Sequence, residues 1–187
     1  MTSPIDVPDV SCYRRPSREE LTLVNRSFDR WNVFGRTNRY VVLVADINGS
    51  SRRAVSLASQ ELADNIGGVK PYLAGLVVGE LSRKKFFPTM AGADLFCRLS
   101  EARGKYYVEI NYEAEKLATY GRDVFGTSVV RASTELKENE IVILINSRHE
   151  AVAIGITRYA GDMLRRSQMA TITTTIDVGQ YLRDEDS

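Results

Sequence analysis

The chain has 187 residues, a formal net charge of +1, and 43% hydrophobic and 26% charged residues. That is the balance of a soluble globular protein with room for one large domain or two small ones. Two distant cysteines, Cys12 and Cys97, and a single histidine exclude a disulfide framework or a Cys/His zinc site and suit a reducing cytosol.

In chain order, "MTSPIDVPDVSCYRR" places its charge after the weakly apolar part and holds two prolines, the wrong order for a secretory signal. In "PSREELTLVNRSFDRW", Ser17 and Glu20 have the spacing of a capping box. Leu21, Val24, Phe28 and Trp31 then follow at helical intervals and predict one apolar stripe. "RYVVLVADI" reads as a buried strand closed by the turn "NGS". "LASQELADNIGG" reads as a short amphipathic helix with Gly67 as its left-handed cap. "YLAGLVVGEL" is a strand, "SRKK" a basic turn, "FFPT" a short extended piece, and "AGADLFCRLSEA" a further helix.

The pattern changes after the polar, glycine-bearing "SEARGK", which places a domain boundary there: residues 1–100 and residues 101–187. "KYYVEI" is a strand and "NYEAEKLATYG" a helix ending at Gly121. Four β-rich segments follow, "TSVVRAS", "EIVILINS", "AVAIGITRY" and "ATITTTI", with "KENE" and "NSRHE" as turns. Short strands with tight polar turns predict a small barrel or sandwich. "DVGQYLR" is expected as a helical turn before the acidic tail "DEDS". No run reaches the roughly 18 uninterrupted apolar residues of a membrane span.

Residues 1–100 carry a net charge of +4 and residues 101–187 a net charge of −3. Any nucleic-acid role must therefore rest on local clusters. The richest is Arg158, Arg165 and Arg166, where a strand end and a short helical segment can put three guanidinium groups on one face. Such groups offer planar donors to phosphate and can stack on exposed bases. Arg122, inside the loop "YGRDVFG", and Lys116, ahead of it, could contact the ribose-phosphate chain and are weighed against simple helix capping. Arg83, Lys84 and Lys85 form a second basic cluster, which a solvated turn explains equally well.

Chemistry finds little support. The chain lacks a GxxxxGK[ST] loop and a GxGxxG after a strand, so no nucleotide cofactor and no metal is expected. Asp46 at a strand end and Asp94 in "GADLF" are the carboxylates a catalytic reading would use, but an aspartate before "NG" is an ordinary turn former. His149 lies between Arg148 and Glu150 in a turn and reads as solvated.

The order "YYVEINYEAEKLATYGRDVFGTSVVRAS" followed by "LKENEIVILINSRHEAVAIGITRYAGDMLRR" resembles a PUA domain, the small RNA-binding pseudo-barrel of pseudouridine synthases and archaeosine transglycosylases. "LVVGELSRKKFFPTMAGADLFCRL" and the ending "DVGQYLRDED" are similar to the large-subunit ribosome-biogenesis factors of the nuclear import protein seven family. The similarity runs from "RYVVLV" to the last residues and leaves out "MTSPIDVPDVSCYRRP".

The resemblance implies a mixed α+β fold: an N-terminal α/β domain and a C-terminal PUA pseudo-barrel. It implies a monomeric RNA binder without catalysis, acting on single-stranded, uridine-rich pre-rRNA with other assembly factors or the exosome. An archaeal cytoplasm is the expected setting, or a nucleolus if the source is eukaryotic. Two alternatives stand beside it: a tRNA-binding or translation-associated PUA module, and an RNA-modifying enzyme using Asp46 or Asp94.

Overall fold

The computed structural model describes residues 10–66, 74–166 and 168–179. Two compact units divide the chain between Leu95 and Phe96.

The first unit opens with α1 (Arg18–Arg30), whose capping box is complete: Ser17 Oγ accepts the Glu20 N–H and Glu20 accepts the Ser17 N–H. Val24, Phe28 and Trp31 are buried, whereas Leu21 is exposed and leaves the expected stripe. Phe28 meets Phe86 edge-on at 5.9 Å between ring centroids, the offset geometry that aromatic quadrupoles favour. The remaining elements are β1 (Val41–Asp46), β2 (Arg53–Ala58), α2 (Gln60–Asn65), β3 (Leu76–Leu81), β4 (Phe86–Pro88) and the first half of α3 (Met90–Ser100), within which the division falls. The four strands form one antiparallel sheet in the order β1-β2-β3-β4.

One central strand is absent from the sequence reading. The structure places β2 where that reading passes from the "NGS" turn straight to a helix. Its residues from Ala54 to Ala58 are all buried, so the period-2 alternation that announces a half-exposed strand is missing. Val10 and Arg14 bridge to Ile47 and Val44, laying the upstream segment along β1. The Gly67 cap lies outside the described residues.

The second unit contains β5 (Tyr107–Ile110), α4 (Tyr112–Ala118), β6 (Val124–Phe125), β7 (Val129–Arg131), β8 (Ile141–Ile145), β9 (Ala151–Thr157), α5 (Met163–Arg166) and β10 (Ala170–Asp177). Its six-stranded sheet has the order β6-β10-β9-β8-β5-β7. β5 pairs with β8 in parallel and every other pairing is antiparallel. The two outermost strands, β6 and β7, are joined by only the 3₁₀ turn Gly126–Ser128. Three residues span at most about 10 Å, so the sheet has to curl until its ends almost meet. This is the pseudo-barrel expected of the sequence, and the fold is mixed α+β.

The barrel is filled by Val108, Ile110, Val124, Val129, Val142, Leu144 and Ile172. α4 closes it with Ala114 and Ala118, and α5 with Leu164. Asn111 caps α4 by accepting the Ala114 N–H at 2.9 Å. Gly121, at φ +73°, turns the chain out of the helix as its sequence position predicts. Gly155 serves a different need: a Cβ there would lie 2.5 Å from Ile172 Cγ2 and 2.9 Å from the Thr173 carbonyl oxygen. Of the helical turn expected at "DVGQYLR", the part from Gln180 onward lies outside the described residues.

Candidate nucleic-acid interface

Arg158 is the first residue beyond β9, held by a 2.8 Å bond from its N–H to the Thr171 carbonyl. Its side chain is half exposed and directed across the sheet. Nε donates to Thr173 Oγ1 and Nη2 to Asp123 Oδ2. The other Asp123 oxygen accepts the Thr174 N–H at 3.2 Å, and Thr174 Oγ1 donates to the Arg122 carbonyl at 2.8 Å. One carboxylate therefore ties the loop ahead of β6 to β10 and to the end of β9. Sequence reasoning missed Asp123, whose only signal is an acid set between Arg122 and an apolar pair.

Arg122 is exposed, and its guanidinium has no partner among the described residues. Arg165 and Arg166 lie on α5, which Leu164 anchors in the core and which packs on the 3₁₀ turn Gly126–Ser128. The Arg165 guanidinium also has no partner among the described residues. Arg166 Nη2 stands 3.5 Å from the Asp162 carboxylate, both groups largely exposed. So long a pair in water holds the arginine weakly. Lys116, on the outward side of α4, lies 3.4 Å from Glu113 and 4.0 Å over the Tyr112 ring.

Three exposed apolar side chains accompany these cations. Phe125 on β6, Met163 at the start of α5 and Met169 just before β10 are each about half exposed or more. The Gly126 N–H donates to the Met169 carbonyl at 3.1 Å, so β6 and the entry to β10 are adjacent. The structure thus gathers Arg122, Phe125, Asp123 and Arg158 along β6, with Arg165 and Arg166 on the helix packed against the following turn. An aromatic ring among guanidinium groups offers a face for a base beside donors for phosphate. Phe125 carried one usable signal, a large apolar residue inside a polar, glycine-flanked loop.

In the first unit, Arg83, Lys84 and Lys85 are exposed at the β3–β4 turn, closed by Ser82 and Lys85 backbone bonds. Asp46 is exposed with Oδ1 3.6 Å from Arg53 Nε, and Asp94 is exposed on α3. His149 is exposed at φ +63°, in the β8–β9 turn organised by the buried amide of Asn146.

The UPF0113 PUA domain profile matches residues 106–186. A UPF0113 protein of Archaeoglobus fulgidus is 31% identical over 175 residues, spanning 92% of this chain and 95% of that one. The chain belongs to the UPF0113 family.

Two more distant likenesses surround this UPF0113 protein. The 60S ribosome subunit biogenesis protein nip7 of Schizosaccharomyces pombe is 27% identical over 140 residues, 73% of each chain. A tRNA-guanine(15) transglycosylase of Methanocaldococcus jannaschii is 41% identical over 61 residues, 33% of this chain and 9% of that one. Among solved structures, a conserved PUA domain protein from Thermoplasma acidophilum superposes with a TM-score of 0.63 at 13% identity. It covers 92% of this chain and 98% of its own. That likeness concerns the fold, and it fits the curled six-stranded sheet of this UPF0113 chain. No helix among its described residues is long and apolar enough to cross a membrane.

Proposed function

We propose that this UPF0113 protein is a non-catalytic RNA binder of the large-subunit assembly pathway, holding single-stranded pre-rRNA on its PUA unit. The observation that carries the reading is an exposed ring, Phe125, three residues after Arg122 and next to the turn on which the helix of Arg165 packs, both guanidinium groups being without a partner among the described residues. Unpaired cations of this kind are available to phosphate without first breaking a protein ion pair. The likeness to the fission-yeast biogenesis protein supports pre-rRNA as the target class. Uridine preference, contact with assembly factors or the exosome, a monomeric state and a cytoplasmic setting in an archaeal cell belong to the same proposal. So does the division of labour between residues 1–100 and 101–187. The first domain, with Arg83, Lys84 and Lys85, serves protein contacts, and the second grips RNA.

The second reading, a tRNA-binding PUA module, is favoured by the segment shared with the tRNA-guanine(15) transglycosylase. Crosslinking the protein to RNA in cells and sequencing what is attached separates the two. Large-subunit rRNA precursors support the first, tRNA supports the second, and recovery of neither removes both.

A further inference from the structure

We propose that the outward face of α4 and the turn that follows it form a stacking platform on which single-stranded RNA continues beyond the guanidinium face. This rests on the RNA-binding reading above. Ala114 and Ala118 turn inward from α4 to the core. On the opposite side stand Tyr112 and Lys116, one helical turn apart, and Tyr120 follows in the turn just beyond the end of the helix. Tyr112 is 67% and Tyr120 69% exposed, and neither ring contributes to the barrel.

Two large rings left in water, one opening α4 and one in the turn after it, offer a contact surface. Lys116 lies between the two tyrosines in sequence. The chemistry favours a nucleic acid because exposed rings and cations alternate along this run of the chain. Lys116 lies over Tyr112 at 4.0 Å, Arg122 follows Tyr120 by two positions, and Arg122 leads into Phe125. Single strands are held by that alternation, π faces for bases and charges for phosphates. The platform is also continuous with the first site, since Tyr120 leads through Gly121 and Arg122 to Asp123, which grips Arg158.

The test is an anisotropy titration of the full-length protein with labelled oligouridylates of about 5 and about 15 nucleotides, lengths bracketing typical single-strand footprints. The long oligomer is expected to bind more tightly than the short one. Replacing both rings (Tyr112→Leu with Tyr120→Leu) should lower affinity for the long oligomer at least about fivefold and leave the short one unchanged. Tyr112→Phe with Tyr120→Phe should restore it, because the π faces remain. Thermal melts confirm that the leucine variant is folded. A folded leucine variant with wild-type affinity for the long oligomer overturns the platform and leaves the face to a protein partner. Equal loss at both lengths overturns it as well, because the rings then serve the first site. If the wild-type protein binds neither oligomer at low salt, the RNA reading falls first and the platform with it.

Discussion

Arg158 and Asp123 are joined across β10: the guanidinium at the end of β9 donates to the carboxylate that precedes β6. Asp123 is itself pinned by the Thr174 N–H. One of the three arginines of the richest cluster is thus already engaged by an acid, and a phosphate would have to compete with that acid. The pair is about half exposed, so its contribution to stability is small, under about 1 kcal/mol. Asp123→Asn should therefore leave the melting temperature nearly unchanged and tighten binding to single-stranded RNA severalfold at low salt. Weaker binding in the same anisotropy titration would show instead that Asp123 works by holding Arg158 in place.

Arg165 and Arg166 should act mainly through phosphate. Each contact to a single strand contributes about 0.7 to the slope of log affinity against log salt. Arg165→Ala with Arg166→Ala should weaken binding and flatten that slope by about 1.4, and adding Arg122→Ala should flatten it further. Titrations at several salt concentrations measure this directly, and an unchanged slope removes α5 from the interface.

Stability of the first unit should depend on pH through Glu20. This buried carboxylate accepts bonds from Nη1 and Nη2 of Arg14, from Nη1 of Arg53, and from the Ser17 N–H. The Arg14 bonds outweigh the opposing effect of burial and hold the Glu20 carboxyl well below the usual carboxylate range. In the unfolded chain the same carboxyl takes its proton near pH 4.3. The stabilisation is therefore fully present above that pH and is lost as the pH falls below it. At pH 7, Glu20→Gln should cost on the order of 1–3 kcal/mol and lower the melting temperature by several degrees. Calorimetry at pH 7 and pH 3 should show the gap between the two proteins shrinking in acid.

Gly155 offers a test of the barrel itself. Gly155→Val should destabilise the protein by roughly 1–3 kcal/mol, because Ile172 and the Thr173 backbone leave no room for a side chain. A denaturant melt reads the loss directly. The displaced β10 would also disturb Thr173 and Thr174, so RNA affinity should fall along with stability.

Much of this protein is legible from spacing alone. The capping box at Ser17 and Glu20 forms as read, Gly121 turns left-handed where the helix must end, and the β8–β9 hairpin follows its turn "NSRHE". Such features depend on neighbours within a few positions, so local sequence is enough to set them. β2 escaped because a strand buried along most of its length carries no alternation. Leu21 escaped from the opposite side, exposed although its spacing places it in the buried stripe.

The candidate site divides in the same way. Composition and residue type marked Arg122, Arg158, Arg165 and Arg166 as cations able to meet phosphate. Only the folded chain decided that Arg158 answers first to Asp123, 35 residues away in sequence, and that Phe125 and Met169 come to the same edge. Pairing of that kind follows from the register of β6, β9 and β10. Register is a property of strands meeting across the barrel, which no local pattern of residues can state.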